Sequence, residues 1–65
     1  MRYNVGDRVA ALSTERGLRA GSTYVVTEAK AVELIITRDV TYVLQPLERG
    51  EQVVLTNGVT LLQPA

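Results

Sequence analysis

The chain has no cysteine, no histidine, no tryptophan and no phenylalanine, and each absence closes off some chemistry. Without cysteine there is no disulfide, no thiol nucleophile and no thiolate metal ligand. Without histidine the commonest general base near neutral pH and the commonest transition-metal ligand are both missing. Acidic and basic side chains number seven each, so the chain lacks the field of a non-specific nucleic-acid or anionic-membrane binder. No apolar run approaches the roughly 20 residues of a membrane-spanning helix, and Met1-Arg2-Tyr3-Asn4-Val5-Gly6 has no hydrophobic stretch of the signal-peptide kind. The expectation is a soluble, cytoplasmic protein that is not an enzyme and takes no cofactor and no metal.

What is present is a single domain of 65 residues, 46% hydrophobic. A domain near this size buries only about 60% of the surface its unfolded chain exposes. With neither disulfides nor zinc to help, stability must come from packing or from oligomerisation. Basic charge is carried almost entirely by arginine, and Ala, Val, Leu and Thr are plentiful. That usage suits a GC-rich bacterial or phage genome.

Period-2 apolar patterning predicts strands throughout. Gly6-Asp7 turns the chain into a strand over 8–13, with Val9 and Ala11 on one face. The polar stretch 14–21, with Gly17 and Gly21, is a loop. A second strand runs over 22–28, with Tyr24 and Val26 on one side and Val25 on the other. Helix formers compete over 28–34, but a two-turn helix with no cap and no clean apolar stripe is marginal, and strand-turn-strand is favoured. Val32, Leu34 and Ile36 then share a face. A turn at Arg38-Asp39 leads to Val40, Tyr42 and Leu44, Pro46 ends that ladder, and Glu48-Arg49-Gly50 turns the chain. Asn57-Gly58, flanked by Val54, Leu55, Val59 and Leu61, has the chemistry of a two-residue type I′ hairpin. Five or six short strands in so short a chain predict an all-β, small barrel of antiparallel strands closed by a C-terminal Asn-Gly hairpin.

Two segments carry a resemblance. Val5-Gly6-Asp7-Arg8-Val9, followed after a polar loop by Gly17-Leu18-Arg19-Ala20-Gly21-Ser22-Thr23-Tyr24-Val25-Val26, resembles the opening of SH3-like small barrels, including KOW-type domains and short phage-encoded barrels. The likeness covers the N-terminal half; the second half departs from the pattern. It implies an SH3-like fold and leaves function open. Short phage proteins of this kind often dock onto a host protein, which the resemblance offers as an expectation. The segment Tyr42-Val43-Leu44-Gln45-Pro46 fails, position by position, against the site of the plasmid-borne dihydrofolate reductases, which are also small SH3-like barrels.

No catalytic constellation is present. Ser13 and Ser22 have no imidazole to activate them, and the carboxylates are scattered singly along the chain. Gly17 and Gly21 beside Arg16 and Arg19 lack the Gly-Lys-Ser/Thr ending and following helix of a phosphate loop. The residues offer two binding surfaces. If Tyr24, Val26, Leu34, Ile36, Val40, Tyr42 and Leu44 fill the barrel, then Val25, Ile35 and Val43 lie outside, with Val54 or Leu62 extending an apolar patch of the kind that marks interfaces. This predicts a protein-interaction module, a homo-oligomer (most simply a dimer) or an adaptor or inhibitor for a foreign protein. The alternative is a KOW-like nucleic-acid accessory protein. Arg2 and Arg8 add to the basic N-terminal third, Arg16 and Arg19 grip the backbone, and Tyr3 or Tyr24 stacks on bases.

Overall fold

The computed structural model describes residues 3–65; Met1 and Arg2 lie outside the described residues. The apolar alternation is realised in five strands: β1 (Arg8–Ala11), β2 (Thr23–Glu33), β3 (Arg38–Pro46), β4 (Val53–Thr56) and β5 (Leu62–Pro64). A single 3-10 turn, Val59–Leu61, separates β4 from β5. All pairings are antiparallel, in the order β4-β3-β2-β1-β5. The protein is therefore all-β, as the patterning predicts, but the sheet is not a closed barrel, because no ladder joins β4 to β5. The 3-10 turn lifts the chain off the β4 ladder, and β5 then pairs with β1 instead.

The core forms where the curved sheet folds over itself. Val9 and Ala11 from β1, Tyr24 and Val26 from β2, Tyr42 and Leu44 from β3, Leu55 from β4 and Leu62 from β5 are all buried there. Leu18 enters from the loop between β1 and β2, and Tyr3 from the N-terminal segment. The Gly6-Asp7 opening has a local reason. Gly6 adopts φ +95°, a conformation costly for any residue with a Cβ, while the Asp7 carboxylate accepts from the Asn4 N–H at 2.8 Å. The turn delivers Gly6 N–H to the Val26 carbonyl at 2.8 Å, and Val26 N–H to the Asp7 carbonyl at 2.9 Å.

The middle of the chain departs from the expected turns. β2 runs without a break through the helix-prone 28–33 segment, and its turn with β3 falls at 34–37 rather than at Arg38-Asp39. A β-bulge also changes which face each residue takes. Val26 pairs with Leu44 and Glu28 pairs with Val43, leaving Thr27 as an extra residue in β2. An extra residue reverses side-chain parity. Beyond Thr27, Ala29 and Ala31 oppose Tyr42 and Val40 on the inner face, and Val32 opposes Asp39 on the outer face. Leu34 and Ile36, expected inside, are exposed.

The Asn57-Gly58 pair is also used differently. Asn57 has φ +53° but Gly58 has φ −116°, whereas a type I′ turn needs both positive. Asn57 instead clasps the edge of β3. Its N–H donates to the Val40 carbonyl at 2.8 Å, its Oδ1 accepts from Val40 N–H at 3.0 Å, and its Nδ2 donates to the Asp39 carboxylate at 2.9 Å. With those bonds made to β3, the chain enters the 3-10 turn rather than folding back on β4.

Tyr3 packs edge-on against Tyr42, with ring centroids 5.9 Å apart. Its backbone N–H donates to the Tyr42 hydroxyl at 3.0 Å. The Tyr3 hydroxyl itself is buried with no hydrogen-bond partner among the described residues. Burial, then the neighbouring Tyr42 and Asp7, hold the Tyr3 phenol pKa above its ordinary value. A raised folded-state pKa favours the folded state fully below the unfolded pKa, about 10 for tyrosine, and that contribution is lost as pH rises beyond it. Tyr3→Phe should therefore leave stability at neutral pH unchanged or raised, by up to about 1–3 kcal/mol for removing an unsatisfied group. It should also flatten the alkaline loss of stability. Urea unfolding at neutral and alkaline pH checks both.

Candidate interaction surface

β2 and β3 outrun the rest of the sheet. β1 pairs with β2 only through Thr23, Tyr24 and Val25, and β4 pairs with β3 only from Thr41 to Leu44. The remainder of both strands, 28–33 with 38–40, projects as a two-stranded arm, and the molecule measures 38 × 21 × 19 Å. The arm ends in the connection 34–37, closed by Leu34 N–H donating to the Thr37 carbonyl at 2.7 Å. Ile35 and Ile36 form its apex, with relative exposures of 101% and 91%, and Leu34 beside them is more than half exposed. Hairpin turns ordinarily take Gly, Asn or Asp. Two isoleucines at an apex satisfy neither turn chemistry nor burial, and such local violations gather at working surfaces.

The outer face of the sheet carries the second part of the surface. Val43 sits opposite Val54 on one side and Glu28 on the other, with Val25 one row away opposite Gln45. Val54 is 65% exposed, while Val25 and Val43 are half-buried. Of the residues expected to form a patch, Val25, Val43 and Val54 thus share a face. Ile35 stands apart at the arm tip. Leu62 is not available at all, because β5 turns it into the core.

Beneath the arm lie two adjoining hollows that share Val40 and Tyr42 in their walls. One, of about 150 Å³, is completed by Tyr3, Asn4, Ala29, Lys30 and Ala31; the other, of about 220 Å³, by Asn57, Gly58 and Val59. The alanines on β2 leave the first hollow shallow-walled on that side. Period-2 alternation does not foreshadow the first hollow, because only the Thr27 bulge puts Ala29 and Ala31 on the inner face.

The residues of the nucleic-acid alternative are dispersed. The Arg16 guanidinium donates to the Thr56 carbonyl at 2.6 Å, tying the loop to β4. Arg19 lines a separate cleft of about 280 Å³ with Ser22, Tyr24, Pro46, Leu47 and Glu48. The loop carrying both is anchored by buried Leu18 and by Arg19 N–H donating to the Tyr24 hydroxyl at 3.0 Å. Tyr3 and Tyr24 are buried, so neither ring offers a face to a base.

Comparison with known protein families, with curated proteins and with solved structures finds no match to this chain. No helix among the described residues is long and apolar enough to cross a membrane.

Proposed function

We propose that this protein is a non-enzymatic interaction module that binds protein, its own copy or a foreign partner, through the apolar tip of the β2–β3 arm and the valine face beside it. The observation that carries this reading is the near-complete exposure of Ile35 and Ile36 at the end of a projecting hairpin. Covering one such side chain is worth about 1.5–3 kcal/mol. Nothing in the fold requires aliphatic residues there. The likeness of the N-terminal half to short phage-encoded SH3-like barrels, together with the five-stranded all-β architecture, supports an adaptor or inhibitor role.

The test is capture from host lysate with the wild-type chain and with Ile35→Lys/Ile36→Lys as bait, each with and without nuclease. Specific protein recovery that survives nuclease and is lost in the tip variant supports the reading. Recovery that disappears on nuclease treatment, or that the tip variant retains in full, overturns it.

A further inference from the structure

Among the described residues the arm has an open backbone edge. Val40 directs its peptide groups at Asn57, away from β2. Antiparallel ladders alternate inward- and outward-pointing peptides, so Ala31, directly opposite Val40, points its N–H and carbonyl away from β3. By the same alternation Ala29 and Glu33 do so too. β1 reaches only Thr23, Tyr24 and Val25 on this edge, and the Gly6-Asp7 turn occupies Val26. Among the described residues no strand covers 28–33. An unpaired edge of this kind is a template for another strand.

We propose that two copies of this chain pair antiparallel along this edge of β2, about a two-fold axis at Val32, so that each Leu34-Ile35-Ile36 tip covers the hollow beneath the other copy's arm. The inference rests on the interaction reading above and names the partner as a second copy. An axis at Lys30 would set two lysines face to face, which like charges on paired strands oppose. Axes at Ala29 or Ala31 would drive the tip into the part of the edge where β1 or Gly6-Asp7 already bonds to β2. With the axis at Val32, Ala31 of each copy exchanges hydrogen bonds with Glu33 of the other. The two Val32 side chains meet as a β-branched cross-strand pair. Ile35 comes to lie opposite Ala29, which walls the 150 Å³ hollow. That hollow is open to solvent and has Ala29, Ala31, Val40 and Tyr42 in its wall, an apolar surface against which an aliphatic side chain can rest. The zero net charge of each copy sets no long-range repulsion against pairing.

Because the chain has no cysteine, single cysteines report the register directly. Val32→Cys places two thiols on residues about 4.5 Å apart at Cα in a non-hydrogen-bonded pair, within disulfide reach. Mild oxidation should convert this variant to covalent dimer, while Lys30→Cys and Val54→Cys should remain largely uncross-linked. Val32→Asp should weaken the dimer on the order of 100-fold by setting two carboxylates on the axis, with an unchanged circular dichroism spectrum and a monomer mass by sedimentation. A wild-type chain that sediments as a monomer at the highest attainable concentration overturns the proposal, as does cross-linking no better at position 32 than at position 30. A dimer that survives Val32→Asp but is lost in Val43→Lys/Val54→Lys also overturns it. That last outcome leaves the interaction reading standing, whereas loss of tip dependence in the lysate experiment removes the interaction reading itself.

Discussion

Truncating Leu44 to alanine should remove about 2–5 kcal/mol of stability, a large fraction of the domain's total, whereas truncating Ile35 in the same way should leave stability within about 0.5 kcal/mol of the parent. Leu44 is fully buried on β3, paired with Val26 on one side and Val53 on the other. Leu→Ala at such sites costs about 2–5 kcal/mol, the transfer term plus the cavity left behind. A domain of 65 residues, at about 0.05–0.15 kcal/mol per residue, has only about 3–10 kcal/mol in total. Ile35 is as aliphatic as Leu44 but lies wholly in solvent, so it loses nothing in an isolated chain. Urea titrations of the two variants give the contrast directly, read at a concentration low enough that association is negligible. A large loss at Ile35 would mean that the tip packs against its own molecule, and the case for an outward-facing interaction site would fall with it.

The strands near the core were legible in the residues because each lies in its expected alternation. Val9 and Ala11 share a face, Tyr24 and Val26 share the next, and Tyr42 and Leu44 share the third; all six are buried. The polar 14–21 loop and the stop at Pro46 were legible for the same reason: their chemistry is that of loops and ladder ends. The arm was not. Its bulge at Thr27 has no composition signal, since threonine is an ordinary strand residue, yet it inverts every side chain that follows. Its turn carries Leu34, Ile35, Ile36 and Thr37, four residues that read as more strand. The helix formers over 28–31 are overridden because cross-strand pairing with β3 supplies backbone partners at Glu28 and Lys30, the residues whose peptide groups face β3. Of the expected patch, the part on regular strands, Val25, Val43 and Val54, lies on one outer face as alternation requires. Leu62 leaves that patch because its neighbour across the sheet is Ala11 of β1, a core residue, rather than a residue of β4. The residues hardest to place by patterning are thus those of the arm, where the functional reading now rests.

Gly58→Ala should destabilise the protein by about 1–3 kcal/mol through overpacking, and the loss should couple to Leu55. The backbone at Gly58, φ −116° and ψ 20°, is open to residues with a side chain, so conformational strain is not the source. A Cβ built there lies 2.6, 2.7 and 2.8 Å from Leu55 Cγ, Cδ1 and Cδ2. Leu55 cannot yield, because it is fully buried beneath the 3-10 turn against Tyr42, its partner across β3 and β4. The glycine is present for close approach, with the start of the 3-10 turn resting directly on the leucine. Leu55→Ala alone opens a cavity, and in that background an alanine at position 58 fills part of the space. The double variant should therefore be less unstable than the two losses added together, with a coupling of about 0.5–3 kcal/mol. Had Gly58 served a type I′ hairpin, the cost of alanine would come from a positive φ and would be the same whether position 55 held leucine or alanine. A double-mutant cycle in urea separates the two cases: additive losses would reinstate the hairpin, and coupling places Leu55 under the turn that carries the chain from β4 across to β5.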